Sequence, residues 1–225
     1  MNLQEFETSI GYQFKNKDLL KIALTHKSYA NDNNLESNEK LEFLGDAILE
    51  FVVSKYLYSN FKKLKEGEMT KVRATVVCEK SLYNISKKYN FSDVLYLGKS
   101  ELKSNGHKKP AILADSVEAV IAAIYLDSGI ENTEQFIINN LKEQIEFESN
   151  NVGAKDYKTV LQEILQKDGN VEIEYNIIEE TGPDHDKEFV VEVRCNKKRL
   201  AVGKGTTKKK AEMDAAKTAI GGAKK

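Results

Sequence analysis

The sequence predicts an all-α domain, built as a helical bundle, followed by a smaller α+β domain of order α-β-β-β-α. Three observations support this. Apolar residues recur at helical spacing through nearly all of the first 150 residues. Alternation with period two appears only beyond residue 170. Between the two patterns lies Ser149-Asn150-Asn151-Val152-Gly153-Ala154, a short, polar, glycine-containing stretch with the composition of a linker. The expected division is therefore 1–148 for the helical domain, 149–154 for the linker and 155–225 for the second domain.

Taken in order, Leu19, Leu20, Ile22, Ala23 and Leu24 mark an early helix, and residues 39–58 a second. Residues 66–89 carry helical spacing at Met69, Val72, Val76, Val77, Leu82 and Ile85, with room for an interruption. Pro110 suits the first turn of the next helix, where its missing N–H costs nothing. Residues 132–147 give another helix, with Phe136, Ile137, Leu141 and Ile145 inward. Strand signals are scarce before the linker. After it, residues 157–166 form a short amphipathic helix. Residues 171–177, 189–193 and 200–205 read as strands, and Thr181-Gly182-Pro183-Asp184 has turn chemistry. Residues 207–220 close the domain as a helix. Three antiparallel strands with both helices on one face are expected.

No run of 18 apolar residues exists, so no membrane span is expected. The start, residues 1–7, lacks the order of a signal peptide. Two distant cysteines, Cys78 and Cys195, fit a reducing cytoplasm and lack the spacing of a zinc site. The net charge of −1 points to no polyanion partner, but its distribution does. Residues 194–225 hold eleven Lys/Arg against two Asp/Glu, whereas residues 155–193 hold four against eleven. A concentrated basic end is an electrostatic footprint for nucleic acid. The competing reading is a solvated tail. Apolar residues at Ala211, Met213, Ala215, Ala216, Ala219 and Ile220 favour a packed helix instead.

Four acids, Glu42, Asp46, Asp115 and Glu118, stand in two segments otherwise apolar enough to read as buried helices. At spacings of four and three, each pair shares a helix face. Carboxylates buried without compensation are costly, so a shielded metal site is expected. Oxygen-only ligands select magnesium or manganese. Gly45, lacking a side chain, would let a second helix approach between Glu42 and Asp46. With no His or Cys beside the acids, metal-activated water is the available nucleophile, which suits phosphodiester hydrolysis. Glu39 and Glu66 read equally as outer ligands or as acids at helix starts.

The run Asn38-Glu39-Lys40-Leu41-Glu42-Phe43-Leu44-Gly45-Asp46 resembles the signature of the bacterial ribonuclease III family. Residues 66–74 and 112–119 are similar to two further blocks of that family, in order and spacing. The resemblance covers nearly the whole chain and implies an endoribonuclease that cuts both strands of double-stranded RNA. Products with 5′-phosphate and 3′-hydroxyl ends follow from it, as does a part in ribosomal, messenger and transfer RNA processing. It implies magnesium at Glu42, Asp115 and Glu118, with manganese as substitute and no organic cofactor. Asp46 and Glu118 take the catalytic role of holding and activating water, and Glu39 and Glu66 take the outer site. Lys40 stands where the family often has Arg. The resemblance further implies a homodimer with one site per subunit, Phe43 acting as a knob into the partner. On spacing alone, Phe43 would be plain core.

Residues 155–222 resemble the double-stranded-RNA-binding domain, which reads A-form shape through 2′-hydroxyls and phosphates. The resemblance assigns Gln162 and Glu163 to one minor groove, His185 to a second, and Lys208, Lys209 and Lys210 to the phosphates between. Three lysines at a helix start oppose its dipole, which a polyanion partner explains and local stability does not. The acidic stretch 155–193 keeps some surface off the RNA. The basic segment 99–109 is a further candidate grip, with His107 as a lesser candidate base. Two other readings remain: an RNA-binding protein without catalysis, which the complete acid set opposes, and a metal phosphohydrolase of small substrates, which leaves the basic domain unexplained.

Overall fold

A computed structural model of the chain describes residues 1–152, 157–168, 171–182 and 187–222. The chain divides into two compact units, Met1–Gly153 and Ala154–Lys225. The first is helical: α1 (Leu3–Ile10), α2 (Lys17–Ala23), α3 (Lys27–Asn33), α4 (Glu39–Asn60), α5 (Glu66–Val76), α6 (Glu79–Lys88), α7 (Lys99–Lys103), α8 (Pro110–Ser128) and α9 (Ile130–Asn151). The second contains α10 (Tyr157–Leu165), β1 (Ile173–Thr181), β2 (Glu188–Cys195), β3 (Lys198–Gly205) and α11 (Lys208–Gly222).

Helix α8 is the axis of the first unit. Pro110 occupies its first turn, and residues from Ile112 to Ile124 are buried except at Asp115 and Glu118, which are half-buried. An almost uniformly apolar helix is stable only with neighbours on most sides. Helices α2, α4, α6 and α9 pack around it. The N-terminal segment is fastened to its far end. Asp127 accepts hydrogen bonds from Tyr12 Oη at 2.6 Å and from the backbone N–H groups of Lys15 and Asn16.

The expected helix over 66–89 is two helices. The break falls at Cys78, whose extended backbone (φ −75°, ψ 157°) caps α6. Helices α1, α3 and α7 had no sequence prediction. Each is eight residues or fewer, too short for periodicity to register. Asn2 and Glu5 nonetheless close a capping box around α1. Helix α9 continues through Ser149, Asn150 and Asn151, so half of the expected linker is helical. Ser149 is buried on that helix, which its polar composition had concealed.

In the second unit the sheet order is β1-β2-β3, with both pairings antiparallel. Leu161 of α10 meets Val193, Ala215, Ala216 and Ala219, while Phe189 and Val191 pack on Ala211. Small residues let α11 lie close on the sheet. A Cβ at Gly203 would stand 2.0 Å from the Ala215 backbone nitrogen, so no larger residue fits there. Of the expected turn at 181–184, Thr181 is the last residue of β1, and Pro183 and Asp184 lie outside the described residues.

A candidate carboxylate centre and a candidate RNA-facing surface

Helix α4 presents Glu42 and Asp46, and α8 presents Asp115 and Glu118. The two helices touch backbone to backbone at Gly45. A Cβ there would lie 1.9 Å from the Glu118 carbonyl oxygen and 3.1 Å from its Cα. Glycine is the residue that allows this approach, which sets the four acids around one crossing. The sequence expectation for Gly45 is met in this form.

The electrostatics follow from the crossing. Burial first, then the charges of Asp46, Asp115 and Glu42, push the Glu118 carboxyl up to about 8. Glu42 is raised by burial, then by Asp115, Glu39 and Asp46. Asp115 is raised by burial and by Glu79. Among the described residues none of the four carboxylates has an ion-pair partner. Lys27, at the start of α3, opposes the trend by attracting Glu42 and Asp115 through space. Its own nearest acid is Glu39, at 3.5 Å.

One expectation is corrected. The acids do not lie in a shielded pocket: Glu42, Asp115 and Glu118 are half-buried and Asp46 is exposed. Of the apolar residues that suggested enclosure, those of α8 and Leu41, Ile48 and Leu49 of α4 are buried, but others on α4 are open. Phe43 is 81% exposed, Phe51 57% and Tyr58 71%, so α4 carries an uncovered apolar stripe. Phe43 is therefore not core. Glu39 is exposed at the head of α4, near Glu42. Glu66 is not brought to the cluster. It lines a cavity of about 310 Å³ with Ser54, Leu57, Tyr58, Met69, Thr70 and Arg73, at the far end of α4. Sixteen residues separate Glu42 from Tyr58, or about 24 Å of helix.

The donors are all carboxylate oxygens, as a hard dication prefers. Their uncompensated mutual repulsion is what such an ion would relieve. With the side chains as they stand, no three His, Cys, Asp or Glu residues among those described converge on one point at ligand distance. Glu79 and Lys27 are neighbours of the centre that sequence reasoning missed. Both stand in the first turn of a helix remote in sequence, where spacing carries no signal.

His26 stands nearby as the cap of α3. Its Nδ1 accepts from the Ser28 backbone N–H at 3.2 Å, and burial lowers its pKa. The segment 99–109 folds as α7 and a short turn, with Lys109 held by Glu101 and Ser104. Lys99, Lys103 and Lys108 remain exposed, and His107 is half-buried.

In the second unit Gln162 and Glu163 are exposed on α10, with Gln162 Nε2 donating to Gln166 at 3.4 Å. Lys208, Lys209 and Lys210 are exposed in the first turn of α11. The Lys208 ammonium lies 5.8 Å from the centre of the Phe189 ring. Thr207 caps the helix by accepting from the Lys210 backbone N–H. His185 lies outside the described residues.

Residues 16–145 match the family described as Ribonuclease-III-like, and residues 157–220 match the Double-stranded RNA binding motif. A protein named Ribonuclease 3 from Clostridium perfringens is 45% identical over 98% of this chain and 93% of its own. One of the same name from Oceanobacillus iheyensis is 47% identical over 98% and 97%. Among solved structures, the nuclease domain of ribonuclease III from Campylobacter jejuni superposes with a TM-score of 0.60 at 40% identity. It covers 64% of this chain and 98% of that one, and is described as flexible in a region involved in dimer formation.

Proposed function

The chain belongs to the ribonuclease III family, and from that premise we propose that it is a magnesium-dependent endoribonuclease cutting both strands of double-stranded RNA. The observation that carries this reading is the acid centre at the α4–α8 crossing, where Glu118 is raised to about 8 among Asp46, Asp115 and Glu42. Glu42, Asp115 and Glu118 would hold the ion, with manganese as a substitute. When bound, magnesium supplies an activated water and a counter-charge for the phosphate under attack. Asp46, the exposed member of the set, would orient that water together with Glu118. Lys27, on the same side, offsets part of the charge that would otherwise repel a phosphate. Cleavage leaves 5′-phosphate and 3′-hydroxyl ends, in the processing of ribosomal, messenger and transfer RNA precursors.

The second unit supplies grip. Gln162 and Glu163 face one minor groove, Lys208, Lys209 and Lys210 the phosphates, and His185 the next minor groove. The working unit is a homodimer paired along α4. A two-fold axis near Phe51 in an antiparallel pairing would set Phe43 against the partner's copy of Tyr58, which in this chain lines the 310 Å³ cavity. The same pairing carries Glu66 of the partner subunit toward the start of α4, where Glu39 and Glu42 stand. In such a pairing Phe43 would be the knob and Glu39 with Glu66 the outer site.

Two free cysteines are consistent with action in the cytoplasm. No helix among the described residues is long and apolar enough to cross a membrane. Cleavage of a long duplex by wild type and by Glu118→Gln, with and without magnesium, tests the reading. The variant should bind the duplex with nearly unchanged affinity and fail to cut. Equal loss of binding and cutting would refute the division between chemistry and grip.

A further inference from the structure

The two edges of the sheet carry opposite charge. Its order makes β1 and β3 the free edges. Along β1 the exposed residues are Glu174, then Asn176, Ile177 at 44% and Ile178 at 48%, then Glu179, Glu180 and Thr181. Along β3 they are Lys198 and Arg199, then Leu200 at 37%, then Lys204. Each edge thus carries exposed apolar residues between charges, Ile177 and Ile178 between acids on β1 and Leu200 between bases on β3.

The brackets fall in register. Glu174, Arg194 and Arg199 lie in one row across the three strands, and Glu179, Val190 and Lys204 in another. Each edge strand fits one bulged residue between the rows, Ile178 in β1 and Leu200 in β3, and both are exposed. The rows are four β2 residues apart, about 13 Å along the strands. Among the described residues Glu174 and Glu179 have no ion-pair partner. Arg199 approaches Glu192 at 3.6 Å, but Glu192 is already held by Arg194 at 2.6 Å. Lys204 reaches Glu188 only at 3.7 Å, between exposed groups.

We propose that the β1 edge of one copy docks on the β3 edge of a second copy of this chain, so that neighbouring molecules bound to a duplex contact each other in a directional array. Charged edges usually guard against strand pairing. Here the guard works against β1 on β1 and β3 on β3, where like charges meet, and is reversed for β1 on β3. Translating a copy along the row direction carries its Glu174 to Arg199 and its Glu179 to Lys204, with Ile178 and Leu200 between them. Such a contact is heterologous and does not close on itself. A linear duplex is the lattice that suits it. The proposal rests on the reading that this chain binds double-stranded RNA.

The test is binding of the full chain to two duplexes in calcium, which occupies acidic sites without requiring turnover. One duplex has about 16 base pairs, roughly one domain footprint, and the other is about five times longer. Wild type should bind the longer duplex cooperatively, with neighbours favoured about tenfold. Glu174→Lys/Glu179→Lys should abolish that cooperativity while keeping or tightening short-duplex affinity, since it adds positive charge. Lys198→Glu/Lys204→Glu, which spares the Arg199–Glu192 contact, should abolish it too. An equimolar mixture of the two variants should restore it, because each then offers the edge the other lacks. That restoration also establishes that both variants fold. Unchanged cooperativity in either variant, or none in wild type, overturns the proposal. Loss in both without restoration on mixing overturns the second copy as the occupant. If wild type fails to bind even the short duplex, the underlying functional reading falls with it.

Discussion

Replacing Glu118 by Gln should stabilise the metal-free nuclease unit at alkaline pH and leave it unchanged at acid pH. The folded carboxyl is raised from the ordinary 4.5 to about 8, by burial and three neighbouring acids. A folded state that holds its proton more tightly than the unfolded chain is fully stabilised below pH 4.5. That stability is lost as pH rises toward and through 8. At full strength the rise is worth about 5 kcal/mol. The centre opens to solvent on the Asp46 side, so screening leaves about 2 kcal/mol. For a unit of this size that is a midpoint change of about 6 °C. Thermal unfolding in chelator at pH 4.5 and pH 8.5 measures it. Wild type should lose about that much relative to the Glu118→Gln variant between the two conditions, and magnesium at pH 8.5 should return it to wild type alone. Equal pH profiles for the two proteins, or an equal response to magnesium, would refute the account of the centre as an uncompensated cluster.

Gly45→Ala should cost about 3 kcal/mol or more in the nuclease unit, because its Cβ meets helix backbone that cannot yield. Chemical denaturation would show it, and a shift under about 1 kcal/mol, close to the ordinary range for surface changes, would contradict the close crossing. Phe43→Asp should leave the isolated subunit stable, since the ring is 81% exposed, and should shift the dimer to monomer by sedimentation. An undiminished dimer would remove Phe43 from the interface. Lys208→Ala with Lys209→Ala should weaken duplex binding and reduce the salt slope by about two, as fewer counterions are released. An unchanged slope would place those lysines away from phosphate.

The element types and the acid set were readable because local rules agreed. Pro110 and the apolar run after it define α8. Spacings of four and three put Glu42 with Asp46 and Asp115 with Glu118, and Gly45 marked where another helix could enter. The misread exposures share one cause: solvent exposure is a property of the assembled surface. Phe43 suggested core, yet with Phe51 and Tyr58 it forms an open stripe, and the acids beside it came out half-exposed or exposed. Glu79 and Lys27 reach the centre through tertiary packing alone. The charge split within the second unit was visible as an acidic stretch and a basic end. Its meaning as two opposed edges needed the strand order and register.

The contact at Gly45 has a consequence for a chain made from its N-terminus onward. Glu42 and Asp46 leave the ribosome some seventy residues before Asp115 and Glu118. Until the later pair is synthesised and seated, the emerging polypeptide holds half of the proposed carboxylate set, and under that reading it would not yet cut the RNA around it. Because backbone meets backbone, a loosely collapsed intermediate would not bring the halves within reach either. Under the proposed reading, maturation and competence to cut would coincide in one docking event.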